Sequence, residues 1–86
     1  MQLESVKVHV RYLGYLHDIA GLKEEHFQIP APARINDALS RAAEAHPRIA
    51  KIKDVLVVSI NNTLTRENHE LHDGDSLSLM APLVGG

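Results

Sequence analysis

The architecture depends on one segment, residues 35–45, which runs Ile35-Asn36-Asp37-Ala38-Leu39-Ser40-Arg41-Ala42-Ala43-Glu44-Ala45. Spacings of three and four positions place side chains on one face of a helix. That face consists of Ile35, Leu39, Ala42, Ala43 and His46. Asn36 or a residue just before it is expected to cap the helix, and Asp37 is favourable in its first turn. Pro47 closes the helix, because a residue before proline is disfavoured in the α region.

Two strands are predicted before this helix. The first has a period of two, in which Val6, Val8, Val10 and Tyr12 alternate with polar residues up to Gly14. The second runs from Glu25 to Ile29 with Phe27 inward, is broken by Pro30 and Pro32, and is expected to form a hairpin with the first. Residues 15–21 between them are too short for a stable helix, so a turn-rich connection is expected.

The segment after the helix predicts one more helical turn, at Ile49 and Ile52, and then a β-branched strand over residues 55–60. Asn61-Asn62 indicates a turn. A polar loop from residue 63 to residue 72 follows, and its two leucines, Leu64 and Leu71, are expected to pin it to the core. Asp73-Gly74-Asp75 predicts a sharp turn before the last strand, residues 76–80, in which Leu77 and Leu79 face the same way.

One helix cannot cover both faces of a sheet, so this order predicts a two-layer α+β domain, with a mixed sheet and the main helix packed on one face. Residues 1–80 are expected to form the domain and residues 81–86 a tail. The last strand is expected to run off the sheet edge directly into Pro82, which stiffens the exit and stops further pairing.

Composition excludes several classes of function. A chain of 86 residues has room for one core, and a net charge of −2 gives no basic surface for nucleic acid. The chain has no cysteine, hence no disulfide and no thiol nucleophile. No apolar run approaches the length of a membrane span, so we expect no membrane association and a cytoplasmic location.

The candidate functional segment is the tail, Ala81-Pro82-Leu83-Val84-Gly85-Gly86. Glycine has no side chain and adopts φ angles closed to other residues, so two glycines make a thread that can enter a narrow slot in another protein. The reactive group would then be the main-chain carboxylate of Gly86. Gly85 would let the backbone lie close to the partner, and Pro82, Leu83 and Val84 would contact the partner. Chance placement of the two glycines is the alternative.

Several motifs, in this order, resemble the MoaD/ThiS family of ubiquitin-like β-grasp sulfur carriers, and the MoaD branch most. They are Val10-Arg11-Tyr12-Leu13-Gly14, His46-Pro47, residues 57–62, residues 71–79 and the ending of residues 81–86. The connection at residues 15–21 also favours the MoaD branch, since ThiS members are usually shorter. Arg34 departs from the family, where Thr or Ser often caps the helix. Ala81 and Leu83 depart from it within the tail.

The resemblance implies a carrier of sulfur for molybdenum cofactor biosynthesis, the small subunit of molybdopterin synthase. A ubiquitin-activating-type adenylyltransferase (MoeB-like) would adenylate Gly86 with ATP and Mg²⁺, and sulfur would replace the adenylate to give a thiocarboxylate. The synthase large subunit (MoaE-like) would receive the tail and supply the catalytic residues. No cofactor is expected to stay bound to the carrier itself.

Two other functions stay open on the residues alone: a related carrier for thiamine, cysteine, tRNA thiolation or protein conjugation, and a β-grasp interaction module with incidental glycines. A metal site at His69-x-x-His72 is disfavoured, because the pair lies in a polar loop without further ligands. Asp73-Gly74-Asp75 lacks the surroundings of an EF-hand calcium loop.

Overall fold

The computed structural model describes residues 4–82. Its strands are β1 (Ser5–Leu13), β2 (Glu24–Pro30), β3 (Ala33–Arg34), β4 (Val57–Ile60), β5 (Thr63–Thr65), β6 (Glu70–Leu71) and β7 (Ser76–Met80). Its α-helices are α1 (Leu16–Ala20), α2 (Ile35–Ala45) and α3 (Pro47–Ala50), and residues Lys53–Val55 form a 3₁₀ turn. No helix in the described range is long and apolar enough to cross a membrane.

Five strands form one mixed sheet in the order β2-β1-β7-β4-β5, while β3 and β6 pair separately. The β1–β2 and β4–β5 pairs are antiparallel hairpins. Strand β7 joins the two hairpins, parallel to β1 and antiparallel to β4. The predicted hairpin and mixed sheet are confirmed. The prediction that the last strand lies at the sheet edge is wrong, because β7 is an interior strand paired on both sides.

The core lies between the sheet and α2. Strand alternation sends Val8, Val10, Tyr12, Leu77 and Leu79 inward, and all five side chains are buried. Helix α2 has the predicted bounds, and its buried side chains are Ile35, Ala38, Leu39 and Ala42. Ala43 and His46 are only partly buried, since the face toward the sheet is centred closer to Ala38 than predicted.

The start of α2 is capped from two directions. Asp37 accepts a hydrogen bond at 2.8 Å from the backbone N–H of Arg34, the residue at the cap position. The Asn68 carboxamide oxygen accepts another at 2.8 Å from the N–H of Asn36. The free N–H groups of a first helical turn need such acceptors, so the loop carrying Asn68 is tied to the helix.

Two local predictions are wrong. Residues 16–20 form the short helix α1 instead of a turn-rich connection, ended by Gly21 in the left-handed conformation at φ +84°. Glycine adopts this conformation without steric cost. Strand β4 begins at Val57, because Val55 belongs to the 3₁₀ turn, where its side chain is 57% exposed.

The loop predicted over residues 63–72 contains the short strands β5 and β6. Asn61 and Asn62, both at positive φ, form the two-residue turn between β4 and β5. Leu71 is buried as predicted, whereas Leu64 is 71% exposed and does not pin the loop to the core. Gly74, at φ +91°, makes the sharp turn before β7.

Candidate functional site

Strand β7 delivers the chain to the candidate site. Met80 pairs with Leu13 of β1 on one side and with Val57 of β4 on the other. Ala81, one residue later, is buried at 5% exposure, and Pro82 is half-buried. The predicted site residues Leu83, Val84, Gly85 and Gly86 lie outside the described residues, and the division of the chain at residue 80 stays a prediction.

The outer face of the sheet, opposite α2, carries an apolar patch next to this exit. Leu13, Met80 and Val57 lie side by side in one row of paired residues. In the next row, Leu64 pairs with Ser59, whose neighbour on β7 is Ser78. We call Leu13, Val57, Leu64 and Met80 the outer-face patch. Leu64 is 71% and Met80 42% exposed, and apolar side chains grouped on a surface make it a candidate for protein interaction.

The outer-face patch was missed at the sequence level, although a signal for it exists. Leu13 follows the inward-facing Tyr12, and Met80 follows the inward-facing Leu79, so an apolar residue occupies the outward position at the end of each strand. Two such positions on neighbouring strands place apolar side chains next to each other on the outer face. The alternation of polar and apolar residues thus breaks at the last residue of each strand, and that break is the signal.

The far end of the outer face is polar. His9 of β1 pairs with His26 of β2, and their rings stack with centroids 4.7 Å apart. The Nε2 atom of His9 lies 2.5 Å from a carboxylate oxygen of Glu24. The outer face is thus apolar next to the exit of the chain and polar at its other end.

A polar cluster fastens the first hairpin to the end of α2. The Tyr12 hydroxyl donates to a Glu25 carboxylate oxygen, and the Nε2 atom of His46 lies 2.5 Å from the same oxygen. The His46 ring also meets Tyr12 edge-on, with centroids 5.5 Å apart. Burial, reinforced by the hydrogen bond to Glu25 and its negative charge, raises the pKa of Tyr12 well above its usual range. The cluster stabilises the packing of the first hairpin against the junction of α2 and α3.

An open groove of about 800 Å³ lies between the start of β4 and the chain that follows β5. Its lining includes the core residues Ile35, Leu39 and Val58, and the exposed Val55. Its polar residues do not converge on one point. Across residues 4–82, no group of three or more acidic or histidine side chains is placed to hold a metal ion. His69 and His72 instead lie 3.6 and 3.9 Å from Glu67 and Glu70.

Three comparisons with known proteins agree with this geometry. The molybdopterin synthase sulfur carrier subunit of Chlamydomonas reinhardtii is 28% identical, over 94% of this chain and 100% of that protein. The putative molybdopterin converting factor subunit 1 of Pyrococcus furiosus has a TM-score of 0.78 at 27% identity, over 92% of this chain and 100% of that one. A chain from the complex of subunits 1 and 2 of the molybdopterin-converting factor of Helicobacter pylori 26695 has a TM-score of 0.61 at 30% identity, over 94% and 100%.

The sheet order, the single main helix and these structural neighbours define a ubiquitin-like β-grasp protein, as the sequence predicted. The profile of the ThiS family matches residues 10–86, including the segment beyond β7. The chain belongs to the ThiS family.

Proposed function

We propose that this protein is the sulfur-carrying small subunit of a molybdopterin synthase. The observation that carries the proposal is the end-to-end similarity to the Chlamydomonas sulfur carrier subunit, which spans all of that protein and 94% of this chain. Strand β7 supports it, because a central strand ending beside an apolar patch is suited to presenting a chain end to a partner.

The chemistry would take place on the main-chain carboxylate of Gly86. A carboxylate is a poor electrophile, so an ATP-dependent adenylyltransferase would first convert it to an acyl adenylate, with release of pyrophosphate. A sulfur nucleophile at the oxidation level of sulfide would then attack the acyl carbon, and AMP would leave with the bonding electron pair. The product is a thiocarboxylate at Gly86. ATP and Mg²⁺ would belong to the activating partner.

The delivery step would need a second partner, the synthase large subunit. The thiocarboxylate sulfur would bond to a carbon of the pterin precursor as an oxygen leaving group departs. Water would then cleave the acyl–sulfur bond, leaving sulfur on the pterin and regenerating the Gly86 carboxylate. The catalytic residues would lie on the large subunit. The complex of subunits 1 and 2 from Helicobacter pylori supports a partner of this kind.

The outer-face patch is the surface that we assign to docking. It adjoins Ala81, so a partner covering Met80 and Val57 would also receive the chain that follows Pro82. The carbon-rich surface of Met80 and Leu64 would be removed from water in that complex, which is the main source of affinity in such interfaces.

Intact mass spectrometry tests the proposal. The full chain and the chain lacking Gly86 are each incubated with the adenylyltransferase, ATP, Mg²⁺ and a sulfide source. The large subunit and the pterin precursor are then added. We expect a sulfur-for-oxygen mass gain in the full chain only, and its loss when the precursor is added.

The outcomes separate the competing functions. Normal turnover by the chain lacking Gly86 would refute the role of the terminal carboxylate. A mass gain that persists after the large subunit and the precursor are added would indicate a carrier for another pathway. No gain with any activating enzyme would favour an interaction module.

A further inference from the structure

The start of the tail is held on three sides. Met80 is paired with strands on both flanks, and the side chain of Ala81 is buried within the same core as Leu79 and Tyr12. A strand at the edge of a sheet can detach its last residues by losing one set of pairings. Release of Met80 would break pairings to two strands at once and would also draw Ala81 out of the core.

We infer that the paired Met80 and the buried Ala81 anchor the tail, so that the number of residues after Ala81 limits how far the carboxylate of Gly86 can reach. The inference rests on the proposed function, because it concerns how the carboxylate of Gly86 reaches a partner. Five residues, 82–86, follow Ala81. Fully extended, they span about 16–18 Å, at 3.3–3.6 Å per residue. The reaction centre of a docked partner must therefore lie within about 16–18 Å of Ala81.

The docking surface and the anchor of the tail belong to one rigid unit. Met80 contributes its side chain to the outer-face patch and its backbone to the sheet, and Ala81 follows directly. Local unfolding of β7 would free more residues for the tail, but it would also disrupt the patch on which the partner is docked. The number of residues after Ala81 is thus a specificity determinant. In a partner whose reaction centre lies deeper than the tail can extend, the carboxylate of Gly86 would not reach that centre.

A series of tail lengths tests the inference. The variants lack Val84, carry one alanine inserted between Leu83 and Val84, or carry two alanines there. Val84→Ala is the control of unchanged length. Each chain is prepared as the thiocarboxylate by intein cleavage with sulfide, so that activation is not needed. The rate of sulfur transfer is measured in a single turnover with the large subunit and the pterin precursor, and affinity is measured by calorimetry.

An asymmetric response is expected. The chain lacking Val84 should transfer sulfur at least tenfold more slowly than Val84→Ala, because a shortfall of about 3.3 Å separates the reacting atoms. One added alanine should slow transfer by less than about threefold, since closing a slightly longer loop costs little. Affinities should change less than the transfer rates do, because the outer-face patch is intact in every variant.

Three results would count against the inference. Equal rates for the deletion and for Val84→Ala, or equal losses for the deletion and the insertion, would overturn it while the proposed function stands. A full-length thiocarboxylate that delivers no sulfur would refute the proposed function and the inference with it.

Discussion

Replacement of Leu64 and Met80 by serine is the most direct test of the outer-face patch. Both side chains point away from the core on the same face, and neither contributes to the buried cluster. The double variant Leu64→Ser/Met80→Ser should therefore fold normally and lose affinity for the synthase large subunit. Val55→Ser is the control, because Val55 is similarly exposed at 57% but lies off the sheet in a 3₁₀ turn.

The expected loss follows from the exposed fractions. Complete burial of a leucine or methionine side chain is worth about 1.5–3 kcal/mol. The exposed 71% of Leu64 and 42% of Met80 can thus contribute about 1.1–2.1 and 0.6–1.3 kcal/mol when a partner covers them. Together they give about 1.7–3.4 kcal/mol, a decrease in affinity of roughly 15- to 250-fold at 1.4 kcal/mol per factor of ten.

Isothermal titration calorimetry with the large subunit measures this loss directly. Thermal unfolding of each variant is the check on folding, since exposed substitutions usually change stability by less than about 0.5 kcal/mol. An unchanged dissociation constant for the double variant would refute the assignment of the docking face. An equal loss for Val55→Ser would show that the effect is not specific to that face.

Two further predictions concern stability. Because the pKa of Tyr12 is raised in the folded state, the stability that it confers is complete below its unfolded pKa of about 10 and falls above it, by at most about 1.4 kcal/mol per pH unit. Tyr12→Phe should flatten that decline in thermal unfolding from pH 9 to pH 11, and an unchanged slope would contradict the assignment to Tyr12. Asn68→Ala removes the cap on the Asn36 N–H and should cost about 0.5–2 kcal/mol in urea unfolding. Asn68→Asp, which keeps the acceptor, should restore most of it.

Local signals determined which parts of the fold could be predicted. The bounds of α2 follow from a helical apolar face and from Pro47, both of which lie within the segment itself. The inward residues of β1 follow from strict alternation. Turns at Asn61-Asn62 and at Gly74 follow from residues that tolerate positive φ.

The failures in sheet order and in the helix cap arise from contacts between distant segments. Nothing near residues 76–80 indicates that β7 pairs with both β1 and β4, because lateral order in a sheet depends on segments far apart in the chain. The Asn68 cap lies 32 residues from its partner Asn36. Hydrophobicity alone predicts a core position for Leu64, and it does not distinguish a buried leucine from an exposed one.

The same distinction between local signals and distant contacts applies to the candidate site. The tail could be proposed from the sequence because its chemistry depends on a few consecutive residues. The outer-face patch brings together residues from four different strands, so it required the register of the sheet. Pro82 is the one predicted site residue within the described range, and the pairings of Met80 show which surface lies beside it.

The position of β7 also has a consequence for how the molecule folds. Among residues 4–82, the two hairpins, β1–β2 and β4–β5, do not pair with each other, and β7 alone connects them into one sheet. A nascent chain that lacks this strand contains the residues of both hairpins and of α2, but not the central strand of the sheet. Completion of the sheet therefore requires β7 to pair with both hairpins, which closes the long loop from β1. Folding and display of the chain end then depend on the same five residues.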